Sequence, residues 1–137
     1  MSTELKSKIE KDLKKRNLTP NSVFQTIKNS LNGIMCYAKD GKSILLYIFG
    51  VIIEVIMGFV YNINGLEWIL IICILGIILA VELLNTAIEA VCDAITKKYN
   101  PLIKIAKDCG SAATFVICTV TIILNIIIFL PKIIGLF

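Results

Sequence analysis

Three long apolar blocks in one short chain leave few folds open. Residues 44–63, 68–88 and 112–130 each come close to the roughly 20 residues that an α-helix needs to cross a bilayer. Within hydrocarbon, every backbone N–H and C=O must be satisfied inside the structure, which leaves only helices and closed barrels. Blocks of this length, without period-two alternation, predict helices. Composition agrees: 57% of the 137 residues are hydrophobic, against about 45–50% in ordinary globular chains. The expected fold is an all-α integral membrane protein with three transmembrane helices in a single domain.

The sequence before the first block has a different character. Residues 2–17 alternate Lys6, Lys8, Lys11, Lys14, Lys15 and Arg16 with Glu4, Glu10 and Asp12, and no apolar core of a cleavable signal peptide is expected there. Thr19-Pro20 reads as an N-cap followed by proline at the first helical position. In residues 20–40, Val23, Phe24, Ile27, Leu31, Ile34 and Met35 share one helical face, and the segment is too polar to span. It predicts an amphipathic helix, lying on the membrane surface or packed on a neighbouring helix. The domain organisation expected is a charged extension at 1–19 and a membrane domain at 20–137.

Basic residues set the orientation. Nine Lys and Arg precede the first block, none lies in the Asn62–Glu67 turn, four (Lys97, Lys98, Lys104, Lys107) lie in the second linker at 90–111, and Lys132 alone follows the third block. The chain is therefore expected as a multi-pass protein of the bacterial inner (cell) membrane. Its N-terminus and second linker would face the cytoplasm and its C-terminus the outside. Pro131 is expected to close the third span.

Several functions are excluded early. The net charge of +4 flanks apolar blocks and forms no basic domain, so nucleic acid is not a partner. No histidine is present, which removes histidine bases and His-based zinc sites. Cys36, Cys73, Cys92, Cys109 and Cys118 form no CxxC pair and read as reduced, small apolar fillers. Gly41-Lys42-Ser43 imitates the end of a phosphate-binding loop, but that pattern needs glycine where Cys36 stands, and no strand precedes it.

The informative feature is a polar stripe at the end of the second block. At about 100° per residue, Glu82, Asn85, Glu89 and Asp93 fall within roughly an 80° arc of one helix face. Acids in such a place face protein, water or a ligand more often than lipid. Concentrated carboxylate oxygens call for a hard cation such as Mg²⁺. The linker adds Lys107-Asp108, a cation able to meet phosphate beside an acid able to support it. Gly110-Ser111-Ala112-Ala113 then permits close helix approach.

The run Glu82-Leu-Leu-Asn85-Thr-Ala-Ile-Glu89-Ala-Val-Cys-Asp93, then Lys97-Lys98-Tyr99, then Ala106-Lys107-Asp108-Cys-Gly110-Ser111-Ala112-Ala113, resembles the signature of the prokaryotic diacylglycerol kinase family, which includes undecaprenol kinases. The resemblance is dense over about residues 80–115 and looser over 20–137. It implies a homotrimer of three-helix subunits that transfers the γ-phosphate of MgATP to a lipid hydroxyl. Carried over by position, Glu82 is the general base, Asn85 places the reacting groups, and Glu89 binds magnesium and the nucleotide. Lys98, Tyr99, Asn100, Lys107 and Asp108 are nucleotide contacts, and Glu82 and Ser111 meet the lipid. The Ile-, Lys- and Asn-rich usage points to an AT-rich genome, and Gram-positive members tend to act on undecaprenol, so that lipid is favoured over diacylglycerol.

The chain departs from the family before the first span. Ungapped alignment puts Gly41 at the second magnesium-ligand position, with Asp40 one residue away. Tyr47 replaces another family acid, Ser22 replaces a basic nucleotide contact, and Glu54 stands inside the first span. Three rival readings follow: a small proton-coupled exporter using Glu54, a catalytically degenerate family member, or a non-enzymatic scaffold in which the stripe only packs.

Overall fold

The computed structural model describes residues 20–39 and 41–135. The expectations for residues 1–19, and for Asp40 as a metal ligand, lie outside the described residues. Four helices follow in order: α1 (Pro20–Lys39), α2 (Lys42–Val60), α3 (Gly65–Ile95) and α4 (Pro101–Ile134). Helix α1 belongs to one compact unit, and α2, α3 and α4 make up the other.

Helices α2, α3 and α4 are each long and apolar enough to cross a membrane. Large apolar side chains such as Leu46, Phe49, Ile72, Phe115 and Ile127 are exposed along their length. Water would penalise such a surface and lipid does not, so helix contacts here rest on packing and hydrogen bonds. Helices α3 and α4 form the main antiparallel pair, held at one end by a Lys132–Glu67 ion pair of 3.0 Å and at the other by Lys107–Asp93 at 2.6 Å. Helix α2 joins the pair through Tyr47, whose hydroxyl donates to the Leu75 carbonyl at 3.2 Å. Asn125 of α4 also donates to Glu54 Oε1 of α2 at 2.5 Å.

The two turns differ in what fixes them. Between α2 and α3, Asn62 takes a positive φ of 51°, and Asn64 caps α3. The Asn64 side chain accepts from Glu67 N at 3.1 Å while Glu67 Oε2 accepts from Asn64 N at 2.7 Å, a reciprocal capping box. A small core forms beside it, of Ile63, Ile71, Ile128 and Phe129. Because the cap seats this core, Asn64→Ala is expected to lower stability by about 1 kcal/mol, read as a fall in the thermal midpoint of the detergent-solubilised protein.

Three helix ends differ from the sequence expectation. The second linker is not 90–111 but the short stretch 96–100, because α3 runs on to Ile95 and α4 starts at Pro101. An apolar window marks hydrocarbon thickness, and a helix does not stop where hydrocarbon does. Pro131 does not close α4, which continues to Ile134. Proline forfeits its own N–H and crowds the carbonyl four residues earlier, but its carbonyl still accepts from Gly135 N at 3.0 Å.

Candidate functional site

The site is built where α3 leaves its apolar stretch and α4 begins. Glycine determines how closely the two helices meet. Gly110 is buried, and a methyl group there would collide with the Asn85 side-chain oxygen and touch Ile88. The Asn85 amide therefore lies in the helix–helix seam. Its Nδ2 donates to Glu89 Oε1 at 3.3 Å, and its Oδ1 is buried without a partner among the described residues. Glu82, one turn before Asn85, is half-buried, and Glu89 is exposed. No side-chain hydrogen bond engages the Glu82 carboxyl among the described residues; only its backbone carbonyl accepts, from Thr86 Oγ1 at 3.0 Å. The structure thus brings Asn85 and Glu89 into contact and keeps Glu82 on the same face without a tether.

Beyond Glu89 the character changes from acidic to basic. A cleft of about 470 Å³ opens at the α3–α4 turn, lined by Lys98, Tyr99, Asn100, Lys107 and Asp108 together with Asp93, Lys97 and Lys104. Four lysines face two aspartates there, a surplus suited to an anion. The volume lies within the roughly 300–1,000 Å³ of small-molecule sites. Local chemistry shapes the turn: Thr96 Oγ1 accepts from Lys98 N at 3.0 Å, and Asn100 Oδ1 caps α4 by accepting from Leu102 N at 2.9 Å. Asn100 thus has a structural task that leaves its amide NH₂ to serve the cleft. Tyr99 is 82% exposed, so its ring is free to stack.

Lys107 and Asp108, adjacent in sequence, part company in space. Lys107 Nζ bonds Asp93 Oδ1 at 2.6 Å, and Asp108 Oδ2 pairs with Lys104 Nζ at 2.6 Å. Adjacent helical residues point about 100° apart, which accounts for the split. The i, i+4 spacing of Lys104 and Asp108 was a legible signal for their pair. Sequence reasoning placed Asp93 on the stripe but did not find its partner. Lys97, part of the signature run, and Lys104, read as linker charge, both line the cleft. Ser111 is exposed, next to Gly110.

Magnesium can be tested against these donors. Among the described residues no three acidic or thiol side chains gather into a metal cage. Mg²⁺ seldom needs one, since it binds through one or two carboxylates plus substrate phosphates and water. Glu89 offers a carboxylate one helical turn before Asp93, which lines the lysine-rich cleft, and a single carboxylate fits that pattern. Gly41, expected at the second metal position, has a left-handed φ of 70° as the N-cap of α2, and it brings no side-chain ligand. Glu54 lies elsewhere, hydrogen-bonded between helices.

Comparison with known proteins gives the same identification. The model of the family described as prokaryotic diacylglycerol kinase matches residues 28–129. An undecaprenol kinase of Bacillus subtilis is 34% identical over 112 residues, covering 82% of this chain and 91% of that protein. A diacylglycerol kinase of Haemophilus influenzae is 32% identical over 108 residues, covering 78% and 92%. A diacylglycerol kinase of Pseudomonas aeruginosa reaches 45% over 64 residues, covering 47% and 52%. With most of its length matched by the family model and by relatives of its own size, the chain belongs to the prokaryotic diacylglycerol kinase family, a family of membrane lipid kinases.

Proposed function

We propose that this protein transfers the γ-phosphate of MgATP to the hydroxyl of a membrane lipid at the cytoplasmic interface, with undecaprenol favoured over diacylglycerol. The observation that carries the reading is the continuity of one α3 face: Glu82, Asn85 and Glu89 lead directly into a cleft with surplus lysine. The undecaprenol kinase of B. subtilis, matched over most of both chains, supports the choice of lipid.

Phosphoryl transfer asks mainly for positioning and charge neutralisation. Glu82 takes the proton of the lipid hydroxyl as that oxygen bonds to the γ-phosphorus and the β–γ bridging bond breaks, leaving ADP. Asn85, fixed in the seam by Gly110, orients the acceptor side and holds Glu89. Glu89 would hold magnesium, which when bound would neutralise phosphate charge. Lys98, Tyr99, Asn100, Lys107 and Asp108 take the nucleotide, and Ser111 meets the lipid headgroup. Helix α1 lies along the membrane surface within a catalytic domain of residues 20–137. The N-terminus and the α3–α4 turn face the cytoplasm, and the C-terminus faces outside. Three copies in a homotrimer would cover the exposed apolar faces and enclose the acidic face.

The deciding experiment offers the purified full chain, in lipid nanodiscs with Mg²⁺ and γ-labelled ATP, undecaprenol and diacylglycerol side by side. Label is expected in both lipids' phosphates or in undecaprenol alone, faster for undecaprenol, and lost on chelation of Mg²⁺. Transfer to neither lipid would overturn the kinase reading, and a faster diacylglycerol rate would reverse the substrate assignment.

The Lys107–Asp93 pair makes a second test possible. Both side chains are partly exposed, so solvent screening leaves the pair weak, and phosphate can take the lysine from it. A charge-assisted phosphate contact contributes about 1.5–3 kcal/mol. Lys107→Met is therefore expected to lower kcat/KM for ATP by roughly 10- to 100-fold, while Asp93→Asn changes it by less than about five-fold. Equal losses from both would make the ion pair itself, and not a phosphate contact, the function of Lys107.

A further inference from the structure

A second polar site lies far from the phosphate-transfer end. Glu54, only 8% exposed, is the buried acid among the described residues. It and Asn125 line a groove of about 340 Å³ between α2 and α4 whose other walls are apolar, among them Ile53, Met57, Ile126 and Phe129. Asn125 stands 18 residues beyond Lys107 on α4, about 27 Å along the helix at 1.5 Å per residue.

Asn125 Nδ2 donates to Glu54 Oε1, yet Glu54 Oε2 and Asn125 Oδ1 are both buried with no partner among the described residues. An ionisable group within a membrane-spanning helix is costly unless it meets a partner, and it marks a functional site more often than not. With Glu54 as a carboxylate, both orphan atoms are acceptors, and what is missing is a donor. An alcohol carries one O–H, whereas an alkylammonium carries three N–H donors and the charge that complements a carboxylate. Hard divalent cations demand six or more oxygens, and this groove presents few. Its apolar walls suit an alkyl chain.

We propose that the α2–α4 groove is a second ligand site, one that takes a lipophilic amine with its ammonium head on Glu54 and Asn125 and its chain along Ile53, Met57 and Ile126. Binding here is independent of lipid phosphorylation. Glu54 is joined to a partner 71 positions away, and neither residue has a part in the chemistry at the α3–α4 turn.

The test is equilibrium binding of radiolabelled dodecylamine to the full chain in phosphatidylcholine nanodiscs, corrected with empty discs, with lipid phosphorylation measured on the same samples. Saturable uptake near one amine per chain is expected, without competition from dodecanol. Glu54→Gln should weaken it at least ten-fold while phosphorylation stays within about two-fold. Ile126→Trp, which fills the groove and leaves the polar pair intact, should weaken it similarly and guards against a folding defect in the first variant. Uptake equal to that of empty discs would mean that lipid or another copy of the chain fills the groove, and would overturn the proposal. Wild-type binding by both variants, or equal competition by dodecanol, would also overturn it. Loss of phosphorylation in the unmodified protein would instead count against the kinase reading and leave the amine result standing.

Discussion

Glu82→Gln is expected to reduce lipid phosphorylation by about 10²–10⁴-fold, the usual worth of a positioned general base, with little change in ATP binding or thermal stability. The two side chains are nearly isosteric, and no side-chain hydrogen bond in the described structure is lost with the carboxyl. The stability change should therefore stay within the roughly 0.5 kcal/mol of substitutions that break no specific contact. The amide cannot accept the proton that the lipid hydroxyl releases, so the loss should fall on kcat and not on KM for ATP. Glu82 stands three turns from Asp93, about 16 Å along the axis, so a nucleotide held in the cleft does not reach it through its base or ribose. Measured initial rates with saturating ATP and undecaprenol decide the matter. Turnover within three-fold of wild type would remove Glu82 from the chemistry and leave the acidic face as packing.

The architecture was legible because hydrocarbon is a strict solvent. Three windows of the right length and polarity could hardly be anything but helices, and α2, α3 and α4 cover them. What hydropathy could not show was where the helices end. Residues 89–95 and 101–111 are helical although polar, because backbone hydrogen bonding continues once a helix is established. The capping box of α3 was readable in the Asn64-x-x-Glu67 spacing, a signal that the apolar pattern around it obscured.

The stripe was equally legible, since helical periodicity alone puts Glu82, Asn85 and Glu89 on one face. The partners were not. Adjacent numbers suggested that Lys107 and Asp108 act together, but on a helix they diverge, and each finds its partner a turn or a helix away. Glu54 and Asn125 are a harder case. Nothing local links two residues so distant in sequence, and only the packing of α2 on α4 brings them together. The departure at Gly41 has its own local cause: the turn into α2 uses a left-handed backbone, which favours glycine over an acid.

Gly110→Ala is expected to damage stability and activity together, and a second substitution should separate the two effects. The added methyl group would meet the Asn85 side-chain oxygen closer than atoms can approach. That oxygen is buried, so the amide cannot simply swing into open space; either it breaks its 3.3 Å bond to Glu89 or α3 and α4 move apart. Forced overpacking of this kind costs about 1–3 kcal/mol, read as a lower thermal midpoint. Displacing the group that holds Glu89 should lower kcat by roughly ten-fold or more, since small misplacements near reacting groups are expensive. Asn85→Ala in the same chain removes the obstacle. The double variant should therefore recover most of the lost stability, with a coupling of about 0.5–3 kcal/mol of the kind seen between contacting residues. Its activity should stay low, because the orienting amide is gone. Simple additivity of the two stability changes would show that Gly110 serves the helix for some reason other than admitting Asn85 to the seam. Recovery of activity along with stability would show that the amide fills space there and orients nothing.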